Sequence, residues 1–465
     1  METIPIRSPM AVAQQPPGPP PADTFARRVR HYASMMVDPV GTVARRFGRH
    51  GDVYRVLFAE NALYVLRHPD HIRDVLVTNA SAFGKGHSGL LRLGDVLGDS
   101  LLTSDGDDWR RQRRLVQPAF ASARLAEYSE VMVDEAERSA TALARAGKPV
   151  HDLSAEMTGL TLRIVARTLF GQRADDSSRI ARAMSWLNEA FATPELLPRA
   201  LPTPGRLRVR RAIADLDDTV YNMIARRAAD LAHGGQAERP RDLLQRLLDA
   251  RDEQGDGQGL SPKEVRDQLV TLYLAGHDTT SHALSWTFYL LSRNPAVQHE
   301  LERELRRVLG GRAPRFEDLP ALGYVERVIE EAMRIYPPVM AIPRRAVRDT
   351  AIGPYAVPAG SEAIIWVYHT HHDPRFFPQP QRFLPERFED AASAARPKHA
   401  YLPFGAGQRA CIGQSFALTE AQLIVATFAQ RLEFRYAGKR PPGLRLGVTL
   451  APKGGLPMRI TGRSS

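Results

Sequence analysis

The sequence predicts a mainly α fold with a smaller β region. Helical periodicity prevails from about Asp70 to Gly310, one unusually long helical pattern starts at Ser261, and the strand-type runs are short and lie toward the two ends of the chain. Length alone, 465 residues, would allow two or three domains, although single folds reach this size. The organisation expected is a disordered, Pro-rich leader over residues 1–23 and one domain over residues 24–465.

After the leader and a short helical stretch, Asp52–Phe58 and Ala62–Arg67 alternate well enough to pair as a hairpin. The helical region that follows breaks at Pro194, Pro198, Pro202 and Pro204, and Gly255–Gly259, rich in glycine, is a loop. The long helix has Ser261 as N-cap, Pro262 at its first position and Glu264 three residues on, a capping box. Its pattern holds to about Arg293, roughly 30 residues or about 45 Å. Apolar on several faces, it should cross the middle of the protein. Strands return at Tyr355–Pro358 and Ala363–Tyr368, a Gly- and Pro-rich loop leads to Cys411, and an amphipathic helix covers about Ile412–Leu432. Leu444–Leu450 and Leu456–Ile460 read as a hairpin around Gly454-Gly455.

The balance of 43% hydrophobic and 25% charged residues is that of an ordinary globular protein. A net charge of +11, carried mostly by arginine, suits nucleic acid, an anionic membrane or an acidic protein partner. No block of five like charges and no zinc-finger spacing is present, which speaks against nucleic acid. One cysteine excludes an internal disulfide and fits a reducing, cytoplasmic location. The N-terminal stretch lacks a long apolar run, so neither a signal peptide nor a membrane anchor is expected.

That cysteine, Cys411, sits in Phe404-Gly-Ala-Gly-Gln-Arg-Ala-Cys-Ile-Gly413, a loop that runs into a helix. A helix N-terminus and the nearby Arg409 would both favour thiolate, the form that binds metal. A single thiolate cannot build a zinc or iron–sulfur centre, but it can be the sole protein ligand of a haem iron. The glycines would let the backbone approach a flat macrocycle. The competing reading is an inert, buried cysteine.

This segment resembles the cysteine-ligand loop of the cytochrome P450 family, Phe-x-x-Gly-x-Arg-x-Cys-x-Gly. Phe404, Gly407, Arg409, Cys411 and Gly413 fill every fixed position. Other segments fit the same resemblance in the expected order. Glu331-Ala-Met-Arg334 lies on a helix stopped by Pro337-Pro338, and Pro385-Glu-Arg-Phe388 follows. Alone, such a pair is usually superficial. Together they resemble the family's Glu-x-x-Arg helix and its partner Arg, which implies a structural triad of Glu331, Arg334 and Arg387 supporting the haem loop. Trp109-Arg-Arg-Gln-Arg113 is similar to the Trp-x-x-x-Arg helix. An indole N–H and a guanidinium suit a carboxylate, and the resemblance implies that Trp109 and Arg113 bind a haem propionate with Arg409 and, as a weaker candidate, Lys85. Arg110, Arg111 and Arg114 read as an exposed basic face.

Ala275-Gly-His-Asp-Thr-Thr280 places poor helix formers inside the long helix, which suggests a local distortion with a purpose. Seen alone it could be a solvent-facing polar patch. It resembles the family's Ala/Gly-Gly-x-Asp/Glu-Thr stretch at the distal face of the haem. The resemblance implies haem contact through Ala275 and Gly276, with Gly276 leaving room for dioxygen, Thr279 steadying it by hydrogen bonding and Asp278 relaying protons. His277 reads as filler. The likeness spans roughly residues 30–460 and implies the P450 fold, its long central helix over haem b (iron protoporphyrin IX).

Two other signals compete. Gly84-Lys-Gly-His-Ser-Gly89 matches a dinucleotide-binding pattern, which needs a strand before it and a helix after it, whereas Asp70–Ala82 looks helical. His369, His371, His372 and Asp373 could form a two-His-one-carboxylate iron site, with His369 and His371 on one strand face. A structural turn is the plainer reading.

The resemblance implies a soluble, bacterial-type monooxygenase that hydroxylates or epoxidises an apolar small molecule: a fatty acid, terpenoid, steroid or polyketide. Its pocket should be lined from Leu90–Leu102, Met184–Leu201, Leu274–Ala275 with Thr279, and Val339–Ile342 with Val448–Thr449. No flavin or iron–sulfur segment follows the haem region, so O2 reduction calls for an acidic ferredoxin or flavodoxin with its NAD(P)H reductase, docked on Arg110, Arg111 and Arg114. The alternatives are a haem-binding sensor without turnover and a peroxide-driven haem enzyme.

Overall fold

The computed structural model describes residues 14–21, 24–58, 61–85, 94–171, 183, 203–232, 242–255 and 257–463. The breaks expected at Pro194, Pro198 and Pro202 lie outside these, as does the expected leader except for residues 14–21. There the Arg55 N–H donates to the Pro17 carbonyl at 2.9 Å. The chain gathers into two compact units. Met1–Ser88, Ala341–Pro378 and Pro397–Ala410 form the first; Gly89–Met340, Gln379–Arg396 and Cys411–Ser465 form the second.

The first unit holds helices α1 (Phe25–Val37) and α2 (Pro39–His50) and a five-stranded sheet. Strands β1 (Val53–Phe58), β2 (Asn61–Leu66), β8 (Glu362–Ile365), β5 (Ile342–Ala346) and β3 (Phe83–Lys85) lie in that order. The expected hairpin is the β1–β2 pair, in register from Val53 opposite Leu66. Its alternating pattern puts Val53, Tyr64 and Leu66 into a core shared with Ala363, Ile365 and Leu402. A small hairpin joins β6 (Thr350–Ile352) to β7 (Tyr355–Val357).

The strand expected over Ala363–Tyr368 stops at Ile365. The Trp366 N–H makes a last bond to the Leu66 carbonyl, and the chain turns into the short helix Val367–His371. The histidines therefore do not share a strand face. His369 Nε2 donates to the Val40 carbonyl at 3.0 Å, His372 Nδ1 donates to the Tyr368 carbonyl at 2.8 Å, and His371 Nε2 accepts the Leu402 N–H at 3.0 Å. Each ring is committed to backbone, and burial lowers the His369 pKa to about 4. Gly84 lies inside β3, paired across from Arg345, and not in a turn after a strand. Residues 86–89 of that glycine pattern are outside the described set.

The second unit is mainly helical. It is built around α3 (Gly106–Val116), α4 (Ser122–Arg145), α5 (Leu153–Phe170), α6 (Pro262–Arg293), α7 (Gly323–Ile335) and α9 (Gln414–Arg431), α8 being the short helix Val367–His371 of the first unit. The capping box at Ser261 and Glu264 is formed. Helix α6 packs against α5, α7 and α9. Val265, Tyr273, Trp286 and Phe288, at different angles around it, are all buried, as a helix through the centre of the unit requires.

The end of the chain departs from expectation. Strand β10 (Gly443–Leu446) pairs with β11 (Leu450–Lys453), so the hairpin turns at residues 447–449. Strand β12 (Pro457–Gly462) instead joins β9 (Leu432–Tyr436) and β4 (His151–Asp152). Gly454 and Gly455, with φ of +79° and +84°, carry the chain from one sheet to the other. The Asp152 carboxylate receives it by accepting the Leu456 N–H at 2.8 Å.

Glu331 and Arg334 are fully buried on α7. Glu331 Oε2 accepts Arg334 Nε at 2.6 Å, and its Oε1 accepts Arg334 Nη2 at 2.9 Å, the Leu384 N–H at 3.0 Å and Arg387 Nε at 3.3 Å. Arg334 and Arg387 also donate to the Arg382 and Gln379 carbonyls. One carboxylate thus fixes a loop onto a helix through a fully answered set of donors. Glu331→Gln should cost about 3–5 kcal/mol in a denaturant melt, the usual result of stranding a buried charge. Removing Asp107, the exposed partner of Arg110, should change stability by no more than about 0.5 kcal/mol.

Candidate active site

The Phe404–Ala410 part of the cysteine loop belongs to the first unit. Gly407 has φ +71°, and a Cβ there would overlap the Leu76 carbonyl oxygen. Only glycine fits, for conformation and for space. The Gly407–Arg409 turn closes with the Ala410 N–H on the Gly407 carbonyl at 3.1 Å. Phe404 and Arg409 are half-buried. Lys85 ends β3, across from Arg344.

Cys411 opens the segment of the second unit that becomes α9, with Gly413 as its N-cap. The Cys411 side chain is accessible, yet enough protein surrounds it for burial to push its thiol pKa up. The Gly413 N–H and the charge of Arg113 pull the other way. This corrects one expectation, since the net direction is upward because desolvation outweighs the helix end, and it adds Arg113 as a cation that acts on the sulfur. Trp109 is buried on α3, and Arg113, one turn on, holds its guanidinium 5.9 Å from the indole ring centre.

Of the other arginines of α3, Arg110 and Arg114 are exposed as expected and Arg111 is half-buried, and each has an acidic partner. Arg111 donates to Glu264 at 2.7 Å and to the Gly259 carbonyl at 2.6 Å. Arg114 grips the buried Asp252 with two bonds of 3.0 and 2.7 Å. Arg110 stays outside, paired with Asp107 one turn back. Two of the three charges are spent tying α3 to the start of α6 and the loop before it.

Within α6 the polar stretch is satisfied by its own surroundings. Thr279 Oγ1 donates to the Ala275 carbonyl at 2.7 Å and Ser281 Oγ to the Asp278 carbonyl at 2.9 Å. Thr161 of α5 donates to the His277 carbonyl at 3.0 Å. The helix runs unbroken through these bonds. A Cβ on Gly276 would stand 3.3 Å from Val165 Cγ2, so glycine here lets α5 approach closely. His277 is buried, which lowers its pKa, and its Nδ1 donates to the Tyr273 carbonyl at 2.7 Å. It fills space as a neutral ring. The Asp278 carboxylate accepts from Thr449 at 2.6 Å.

Sequence reasoning missed Glu420, which is fully buried on α9. Burial raises its pKa well above the usual carboxylate range, and nearby Thr280 of α6 opposes this only in part, while neither carboxylate oxygen has a hydrogen-bond partner among the described residues. Its position in the apolar run Phe416–Ala421 was the available signal: an acid on the inward side of a helix must be paired or neutral.

The donor set fits a haem. Among the described residues no group of three His, Cys, Asp or Glu could hold a metal ion unaided. A metal at Cys411 would have to bring its other ligands with it, as a porphyrin does. A family model described as Cytochrome P450 matches residues 16–456. The chain belongs to the cytochrome P450 family. It is 38% identical over 394 residues to the cyclooctat-9-en-7-ol 5-monooxygenase of Streptomyces melanosporofaciens, with 83% of each chain covered. It is 35% identical to the pentalenene oxygenase of Streptomyces avermitilis, over 86% of this chain and 87% of that one. A solved cytochrome P450DA heme domain shares the fold with a TM-score of 0.84 at 25% identity, covering 98% and 99% of the two chains.

This P450 is therefore a monooxygenase that carries haem b and uses O2 and electrons from a redox partner. Among the described residues no helix is long and apolar enough to cross a membrane.

Glu420 makes a signed prediction. Its folded pKa lies above its unfolded one, so its contribution to stability is complete below the unfolded value and is lost as pH rises toward the folded value. Glu420→Gln, which mimics the neutral acid, should gain stability relative to the parent as pH goes from about 4 to about 8. Thermal melts across that range check this; a pH-independent difference between the two proteins contradicts it.

Proposed function

We propose that Cys411 is the iron ligand. Phe404 and Gly413 then lie against the macrocycle, Trp109, Arg113, Arg409 and Lys85 serve its propionates, and Ala275 and Gly276 face the oxygen side. The observation that carries this is the lone accessible thiol with the Gly413 N–H and the Arg113 charge directed at its sulfur. When bound, the haem supplies the oxygen activation. The chain supplies the protons: Asp278 takes them up at its carboxylate, and Thr279 passes them on once its hydroxyl turns from the Ala275 carbonyl. The triad of Glu331, Arg334 and Arg387 holds the segment before the cysteine loop.

The substrate is an apolar, unsaturated cyclic hydrocarbon or its alcohol, of terpenoid type. The names of the two relatives, one an unsaturated alcohol oxidised and one a hydrocarbon oxygenated, support this. So do Leu101, Leu102, Leu274 and Val448, described members of the expected apolar lining. Residues 90–93 and 184–201 of that lining are outside the described set. Electrons come in the cytoplasm from an acidic ferredoxin or flavodoxin with its NAD(P)H reductase, steered by the net charge of +11. Arg110 and Arg114 are the exposed members of the basic face that docks the carrier, each paired with one carboxylate, while Arg111 is half-buried.

The haem-supplied protein should show the thiolate-type absorption band when reduced under carbon monoxide, and Cys411→Ala should lose it. Titrating the ferric protein with cyclic alkenes and their alcohols should shift its spin state more strongly than fatty acids or steroids do. Product formation with a surrogate reductase separates an enzyme from a sensor. A band that survives Cys411→Ala, or a response confined to fatty acids, defeats the corresponding part of the assignment.

A further inference from the structure

The Asp278 carboxylate is held from outside its own helix. The Thr449 hydroxyl donates to Oδ2 at 2.6 Å, a charge-assisted bond. His282, one turn further along α6 and buried, brings Nδ1 within 3.7 Å of the same oxygen. Among the described residues no other side chain meets this carboxylate. Both contacts converge on Oδ2, and among the described residues Oδ1 has no hydrogen bond or ion pair.

Thr449 reaches Asp278 because its hairpin is fastened immediately beside it. The Gly447 N–H donates to the Thr449 carbonyl at 3.1 Å, closing the turn between β10 and β11. The next residue, Leu450, is pinned on both sides. Its N–H donates to the Pro338 carbonyl at 2.9 Å, and its carbonyl accepts the indole N–H of Trp286, on α6 itself, at 3.1 Å. The same helix therefore carries Asp278 and the anchor for the strand whose preceding residue grips Asp278. The hairpin also brings Arg445 toward His282, whose pKa is lowered first by burial and opposed by Asp278.

We propose that Thr449 is a positioning residue for Asp278, fixing the carboxylate so that Oδ1 is the oxygen that exchanges protons. This rests on the reading of Asp278 as the proton relay. A carboxylate freed of Thr449 can turn about its terminal bond and present either oxygen, including toward His282. Thr449 touches no reacting atom in this role. In this role it acts through Asp278.

The test uses the full-length, haem-loaded protein, a surrogate ferredoxin system and a substrate found by the titration above. Thr449→Val should retain haem and melting temperature but give about tenfold less product per NADPH, the scale of one lost hydrogen bond to a charged group. The missing electrons should appear as hydrogen peroxide. Thr449→Ser should restore coupling. In an Asp278→Asn background, adding Thr449→Val should change nothing further. A second readout needs no turnover: in the carbon-monoxide-bound ferrous protein, the ring nitrogen shifts of His282 should move in Thr449→Val and return in Thr449→Ser. If Asp278→Asn couples as well as the parent, the relay reading itself is wrong. If Asp278→Asn uncouples while Thr449→Val leaves coupling and the His282 shifts at parent values, the relay stands and the positioning role is overturned.

Discussion

A charge inside the helical unit must be matched or removed, and much of the architecture follows from that constraint. Helix α6 is buried on several sides and lies against α5, α7 and α9, so polar groups near it have little water to fall back on. Glu331 meets the demand with two arginines and a backbone N–H. Satisfying every lone pair is what makes such a site tolerable, since a buried ion pair with one partner missing is worse than an apolar contact. The result is a specific junction: α7 can accept only the segment that delivers Leu384 and Arg387 to that carboxylate.

The same constraint acts differently on neighbouring acids. Glu420 is fully buried, and burial raises its pKa well above the usual carboxylate range. Asp278 has a hydroxyl and a neighbouring imidazole, and remains partly exposed. These two carboxyl groups flank Thr279 and Thr280 from different elements, one on α9 and one on α6 itself. Thr279, Ser281 and Ser285 of α6 meanwhile bond back to carbonyls one turn earlier, so the helix continues through residues that disfavour it.

Much of the fold was legible because it depends on local signals. The Ser261 capping box, the alternation in β1 and β2 and the amphipathic run after Cys411 each need only neighbouring residues to be understood. Where the reading failed, a distant partner had overruled the local pattern. Ala363–Tyr368 looked like one strand, but Thr370 donates to the Arg67 carbonyl and His371 accepts from Leu402, contacts that need a helical turn there. Arg111 and Arg114 looked like free charges on an exposed helix face, but Arg111 is half-buried and Arg114, though exposed, is paired with a buried acid. Their partners, Glu264 and Asp252, lie more than a hundred residues away in the sequence, and no spacing rule links them.

The site shows the same division, and one misreading bears on function. The segments around Cys411 and along Ala275–Thr280 are picked out by their resemblance to family motifs, since read alone each also fits a plain structural role. Thr449 is not. It sits in a stretch whose turn was assigned to Gly454-Gly455, because paired glycines are the stronger local signal. The actual turn, at residues 447–449, is set by strand pairing and by Trp286 holding the Leu450 carbonyl. Moving the turn by a few residues changes Thr449 from a strand residue into the tip of a hairpin anchored to α6. Only from that tip does its hydroxyl reach Asp278, so the register of the last strands decides which side chains complete the acid's surroundings.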